Sequence, residues 1–234
     1  MNIHENLLRV RERIAVATNR ARRNPDEITL IGVSKTHPAE AIREAFAAGL
    51  RDFGENRVQE WEGKRAGVAD LDANWHLIGH LQSNKAGKAA KLFHAIDSVD
   101  DFALAQKLAR AKSEFPGGGK LRVLIEVHLG GEEAKSGVAA AGLAELAEKI
   151  RGLEELDLAG LMCIPPYLED VERVRPYFAQ LRELREQLRS RLGLVLPVLS
   201  MGMSHDFEAA ILEGATEVRV GTAIFGARSI ALQA

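Results

Sequence analysis

One lysine and two glycine-containing stretches are the residues in this sequence whose types and spacing could do chemistry together. Lys35 follows the β-rich run ITLIGVS (28–34) and precedes Thr36-His37-Pro38. An amine at the end of an apolar strand is partly desolvated, which favours its neutral form and lets it condense with a carbonyl carbon. Much later, Ser200-Met201-Gly202-Met203-Ser204-His205 and Arg219-Val220-Gly221-Thr222-Ala223 each end a β-rich run and pass directly into a helical pattern. Glycine at such a junction lets the backbone approach an anion, and the first N–H groups of the helix point at it. An amine together with an anion cradle describes a site for a phosphate ester that carries an aldehyde or ketone. Plainer readings stand beside this one. A strand-end lysine is commonly a solvated loop residue, and Ser204 is a good N-cap for the helix DFEAAILEG (206–214).

Arg219 lies two residues before Gly221, so strand alternation puts both on one face, towards the interior. A buried guanidinium needs an acceptor, which a heteroatom of the ligand or a carboxylate such as Asp97 or Glu217 could supply. His76, His80, His94 and His128 invite a metal reading, but no paired-histidine motif with a third carboxylate ligand accompanies them, and no metal is expected. Cys163 is the only cysteine, which excludes an intrachain disulfide and a multi-cysteine zinc site. It reads as a small buried hydrophobe at a strand end.

The elements that must position these residues follow from periodicity. Residues 4–22 place Leu7, Val10, Ile14, Ala17 and Ala21 on one helical face, and Asn24-Pro25-Asp26 ends the pattern. ITLIGVS and the helix AEAIREAFAAG (39–49), opened by Pro38, make a first β/α unit. RDFGE (51–55), WHLIG (75–79), FHAID (93–97) and LRVLIEVHL (121–129) each precede a further helical pattern. LDLAGLMCI (156–164) leads to a long helix ending near Leu192, and LPVLSMG (196–202) and EVRVGT (217–222) bring the count to eight units. Eight alternating units predict one (β/α)8 TIM barrel over residues 1–234 with an extra N-terminal helix, an open doubly wound sheet being the alternative. PGGGK (116–120) reads as a flexible loop on the face away from the site.

Ligand chemistry in a barrel sits at the carboxyl ends of the strands. In order, those ends deliver Ser34-Lys35-Thr36, Glu55-Asn56, Gly79-His80, Asp97, His128, Met162-Cys163, Ser200-Met201-Gly202 and Gly221-Thr222.

A net charge of −2 gives no electrostatic reason to bind nucleic acid or an anionic membrane, so a small-molecule partner is favoured. Interleaved Glu and Arg in LRELREQLRSR (181–191) describe a solvated helix face rather than a nucleic-acid patch. No apolar run is long enough to span a bilayer and the start lacks a signal-peptide core, so the cytoplasm is the expected compartment.

Seven motifs resemble, in order, those of the pyridoxal phosphate homeostasis family, which is related to the amino-terminal barrel of alanine racemase. They are VSKTHP (33–38), DFGENRVQE (52–60), WHLIGHLQSNK (75–85), KSGV (135–138), GLMCIP (160–165), LSMGMSHD (199–206) and VRVGTAIFGAR (218–228). The resemblance implies pyridoxal 5′-phosphate (PLP) as cofactor, held as a Schiff base on Lys35. It implies that Asn56 flanks the cofactor, that Met162 packs beside its ring, and that Arg219 faces the pyridine nitrogen. It assigns the phosphate to Ser200, Met201, Gly202, Ser204, Gly221 and Thr222. His37 stands where many relatives carry lysine, a departure expected to alter surface charge more than the Schiff base.

An arginine opposite the ring nitrogen disfavours its protonation and weakens the electron sink that catalysis on this cofactor uses. The implied role is therefore non-catalytic: buffering PLP or delivering it transiently to apo forms of PLP-dependent enzymes, with consequences for vitamin B6 balance. A monomer is expected. A racemase-like enzyme and a Schiff-base aldolase are the enzymatic alternatives. A racemase needs a base on each face of the substrate carbon, whereas only Lys35 is evident and the only tyrosines are Tyr167 and Tyr177. An interaction-only protein would leave the amine and the cradle without a purpose. Lys135 could accept the aldehyde in transit, or be an ordinary solvated loop residue.

Overall fold

The eight expected strands close on one another. The computed structural model describes residues 2–115, 117, 119–130 and 136–227. Its strands are β1 Thr29–Val33, β2 Asp52–Glu55, β3 Asn74–Leu77, β4 Ala95–Val99, β5 Leu121–His128, β6 Val138–Ala139, β7 Leu156–Met162, β8 Val198–Met203 and β9 Glu217–Val220. The lateral order β4-β3-β2-β1-β9-β8-β7-β5 is completed by pairing of β4 with β5, and every pair is parallel. Closure rules out the open sheet. The two-residue β6 was not expected; it pairs with the end of β5, matching Val127 to Val138 and His128 to Ala139.

The helices are α1 Ile3–Arg20, α2 Ala39–Ala47, α3 Val58–Lys64, α4 Ala86–Leu92, α5 Phe102–Ser113, α6 Ala140–Arg151, α7 Arg175–Leu192, α8 Phe207–Leu212 and α9 Thr222–Phe225. The last expected helix is shorter than its pattern because Gly226 follows Phe225 at φ +85, a conformation that ends a right-handed helix. The expected loop at 116–120 falls partly outside the described residues, since Pro116 and Gly118 are not among them.

The N-terminal helix is present and has a structural task. Asn2 caps it, and its buried face (Ile3, Leu7, Val10, Ile14, Ala17) packs against α8 and α9. Asn6 Nδ2 donates to the Ile224 carbonyl at 2.8 Å, and Arg13 makes a forked pair with Glu208 at 2.6 and 2.8 Å while covering the Phe207 ring. The first helix thus holds the last two units in place.

Most of the apolar core lies between strands and helices, around Ile42, Phe53, Leu104, Leu108, Phe178 and Phe207. A second, smaller apolar cluster of Leu124, Ala159 and Met162, with Val198 against it, lies inside the barrel. Neighbours across a parallel ladder share a face. The registers Ile31 with Arg219, Val33 with Gly54, Gly54 with His76, His76 with Ala95, Ala95 with Arg122, and Met162 with both Glu126 and Ser200 therefore trace the lumen. A Cβ on Gly54 would meet Ile78 at 2.9 Å and Ile31 at 3.0 Å, the closeness expected of an interior position.

Candidate functional site

The carboxyl ends of β8 and β9 are tied together by one hydroxyl. Ser204 Oγ accepts from Gly221 N at 3.2 Å and Ala223 N at 3.4 Å, leaving its own O–H as a donor. It does not cap α8. Asp206 is the residue at that end, and its carboxylate instead accepts Met203 N at 2.6 Å. Gly202 is required by geometry. It sits at φ +91, and a Cβ there would meet Ala210 Cβ at 2.6 Å and Phe207 Cα at 2.9 Å. Gly221 and the exposed Thr222 begin α9. Met201 packs its side chain fully into the outer core, so only its backbone could meet a ligand.

Arg219 is 3 % exposed and donates to Ser200 Oγ at 2.7 Å and to the Cys163 carbonyl at 2.8 Å. The carboxylate alternatives are taken: Asp97 lies against His76, and Glu217 pairs with Arg122. Among the described residues no carboxylate forms an ion pair with Arg219. Ser200 is fully buried, and its hydroxyl accepts from the guanidinium. Met162 is fully buried in the lumen cluster beside this tier. Glu126, which the sequence reading passed over, shares the tier. It is 5 % exposed, accepts from Ser136 Oγ at 2.8 Å, and has its carboxyl pKa raised by burial against the opposing pull of Ser136 and Arg219. Its two-residue offset from Leu124 and His128 was the available signal. Cys163 is an inert thiol; burial pushes its pKa up to about 12.

Lys35 is half-buried in the turn after β1, two residues beyond the inward-facing Val33. The next residue, Thr36, has φ +65, a strained value for a β-branched side chain. Glu60 of α3 accepts the Thr36 N–H. His37, expected to matter chiefly for surface charge, stacks on Phe225 of α9 with centroids 5.1 Å apart and so joins the Lys35 turn to that helix. Asn56 follows β2 at the same rim, and a Cβ on Gly79 would strike its carbonyl at 2.5 Å. A cleft of about 420 Å³ opens beside Asn56, lined also by Arg57, His80, Leu81 and Lys85. Tyr167 is 73 % exposed with its ring against His205. Lys135 lies outside the described residues.

The opposite end of the lumen holds charge that the sequence did not reveal as a network. His76 lies 3.3 Å from both Asp97 and Asp52, Asn74 donates to Asp52 at 3.0 Å, and Arg122 pairs with Glu217. Burial opposes a charge on His76, but the carboxylates override it and push its pKa up to about 9. Among the described residues no cluster of histidine, cysteine and carboxylate ligands could hold a metal ion, and no helix is long and apolar enough to cross a membrane.

The mouth therefore gathers an amine-bearing turn, a buried guanidinium, a serine hydroxyl whose oxygen holds the Gly221 and Ala223 amides, and a glycine that admits close approach. A donor set of this kind fits a phosphorylated aldehyde with a heterocyclic acceptor, which is the chemistry of PLP.

Comparison with known proteins agrees with that fit. Residues 6–229 match the family described as alanine racemase, N-terminal domain. The chain is 50% identical over 228 residues to a pyridoxal phosphate homeostasis protein of Aquifex aeolicus, covering 97% of this chain and 99% of that one. It is 49% identical over 227 residues to the protein of the same description from Pseudomonas aeruginosa, covering 97% and 96%. PipY of Synechococcus elongatus, solved with PLP bound, superposes with a TM-score of 0.86 at 42% identity, covering 96% of this chain and 100% of that one. A barrel with this lumen and these matches along nearly its whole length belongs to the alanine racemase N-terminal domain family, among the pyridoxal phosphate homeostasis proteins.

Proposed function

We propose that this protein binds PLP at the carboxyl-terminal mouth of the barrel and acts as a carrier that buffers the cofactor or hands it to apo-enzymes. Arg219 is the observation that carries this reading. A guanidinium held by a hydroxyl and a carbonyl, with no carboxylate ion pair among the described residues, keeps its full positive charge for the ligand. Placed beside a pyridine nitrogen, such a charge disfavours protonating it, which suits holding the cofactor better than carbanion chemistry.

Lys35 would hold the cofactor, its amine being the group that could take up the aldehyde as a Schiff base with loss of water. Ser200, Ser204, Gly221, Thr222 and the backbone of Met201 and Gly202 would hold the phosphate, and Asn56 and Met162 would flank the ring. Bound PLP would supply an aldehyde that exchanges reversibly between amines, which is what a carrier requires. PipY with PLP bound and the homeostasis descriptions of the relatives support the assignment. The exposure of Tyr167 supports the carrier over the racemase reading, because a tyrosine serving as a racemase's second base would be held against the ligand.

The test is absorption of the purified protein with and without borohydride, followed by peptide mapping. Lys35→Ala is expected to lose the trapped adduct while keeping its thermal unfolding. An adduct that persists on another lysine would move the anchor. Turnover of L-amino acids to D-isomers that disappears in Lys35→Ala would replace the carrier with a racemase.

A further inference from the structure

Each of the first two strands ends in a pair of residues with opposite tasks. Ser34 and Glu55 are fully buried and turn away from the lumen, whereas their successors Lys35 and Asn56 reach the mouth. Behind the barrel wall the outward pair is cross-linked. Ser34 Oγ donates to Glu55 Oε1 at 2.5 Å, and the Lys64 ammonium of α3 lies 2.7 Å from the same oxygen. Lys64 Nζ also donates to the Ser34 carbonyl at 2.9 Å, the His37 carbonyl at 3.4 Å and Glu60 at 3.3 Å, with its side chain only 12 % exposed. Glu60 in turn accepts the N–H of Thr36, the residue in the left-handed conformation.

One ammonium thus grips the turn through carbonyls on both sides of Lys35, and a carboxylate grips it through the amide next to Lys35. A β-branched residue at positive φ persists only where its surroundings over-determine it. The three N–H donors of one ammonium, shared among four acceptors, two carbonyls and two carboxylates, are that determination. None of these groups faces the lumen, so surface packing alone gives no reason for a lysine there. A buried lysine is costly unless paired and fully bonded, and an apolar side chain would fill the same volume.

We infer that Lys64, with Glu55 and Glu60, is the positioning element that fixes Lys35, and with it Asn56, in register with the phosphate cradle across the mouth. The inference rests on Lys35 being the PLP anchor. A covalent link between a cofactor whose phosphate is pinned at one side and an amine at the other demands that the separation be held closely, and misplacement by about an ångström is costly.

The experiment compares PLP with pyridoxine 5′-phosphate, which has the phosphate and ring but no aldehyde, on the full chain and on Lys64→Met, Lys64→Arg and Glu60→Gln. Backbone hydrogen exchange of residues 34–37 without ligand is measured in parallel. Lys64→Met is expected to weaken PLP by at least about tenfold and pyridoxine phosphate much less, and to speed exchange in the turn. Lys64→Arg should recover part of the PLP affinity. Glu60→Gln, at a partly exposed position that keeps a hydrogen-bond acceptor, should show the same selective loss to a smaller degree and serves if Lys64→Met does not fold. Equal weakening of both ligands would make the clamp merely structural, and unchanged PLP affinity with unchanged exchange would overturn it. Absence of a borohydride-trapped adduct on Lys35 in the parent would overturn the anchor reading instead.

Discussion

The two ends of the barrel lumen are both polar, and they are polar in different ways. At the amino-terminal end every cation has its carboxylate: His76 lies between Asp52 and Asp97, and Arg122 meets Glu217. At the carboxyl-terminal end the arginine leans on a hydroxyl and a carbonyl, and amides converge on a serine oxygen. The first arrangement answers each cation with a carboxylate, although Asp97 Oδ1, Arg122 Nε and Glu217 Oε2 keep no hydrogen-bond partner. The second leaves a guanidinium with no carboxylate ion pair among the described residues and a serine hydroxyl as donor, which fits an anionic, acceptor-rich ligand. A buried charge network therefore marks function through what answers the charges, and burial alone does not distinguish the two ends.

Cutting the floor network should have the largest effect on folding. Arg122→Met removes the partner of Glu217, whose second carboxylate oxygen already has no hydrogen-bond partner, and leaves a carboxylate stranded in the lumen. Breaking one side of such a pair costs about 3–5 kcal/mol. Denaturant unfolding of the ligand-free protein should register that loss, with PLP affinity of the surviving folded fraction little changed. A variant that loses affinity but not stability would erase the distinction between the ends.

A smaller effect follows from pH. The His76 pKa is raised from 6.5 to about 9, so the folded state holds its proton more tightly than the unfolded chain. Its contribution, on the order of 3 kcal/mol, is present in full below the unfolded value and is lost as pH rises through about 9. Glu217, whose carboxyl pKa is raised first by burial and then by Asp97, acts in the same sense. Unfolding midpoints should fall between about pH 6.5 and 9 in the parent and become flatter in His76→Gln. Equal slopes in the two would separate the floor from the pH response.

The smallest change sharpens the mouth. Ser204→Ala removes the oxygen shared by Gly221 and Ala223 N–H at a cost of about 1 kcal/mol in folding. It also removes the O–H donor, so PLP and pyridoxine phosphate should both weaken by about tenfold, in contrast to the aldehyde-selective loss expected of Lys64→Met. Titration of both ligands decides it, and a loss confined to PLP would take Ser204 out of the cradle.

Local order in the sequence carried the fold. The alternation of apolar strands with amphipathic helices announced eight units and a closed barrel, and the face of α1 was readable from Leu7, Val10, Ile14 and Ala17. The candidate site residues stood out in the sequence because they sit at strand ends beside glycines, and Gly202 has no room for a side chain. Barrel closure alone decided the partners. Arg122 and Glu217 are 95 residues apart, and His76 and Asp97 are 21 apart on different strands. Which carboxylate answers which cation is set by strand stagger, which no local pattern encodes. For the same reason the sequence left Arg219 free to pair with Asp97 or Glu217, whereas the stagger brings it to Ser200 and the Cys163 carbonyl. Lys64 was unreadable as well, since a helix lysine four residues after a glutamate is an ordinary surface pair until the fold buries it behind β1 and β2. The sequence by itself determined the alternation, the strand-end chemistry and the glycines, because these depend on neighbours along the chain. Tertiary structure decided the charge pairing and the clamp behind Lys35, because these depend on neighbours across the barrel.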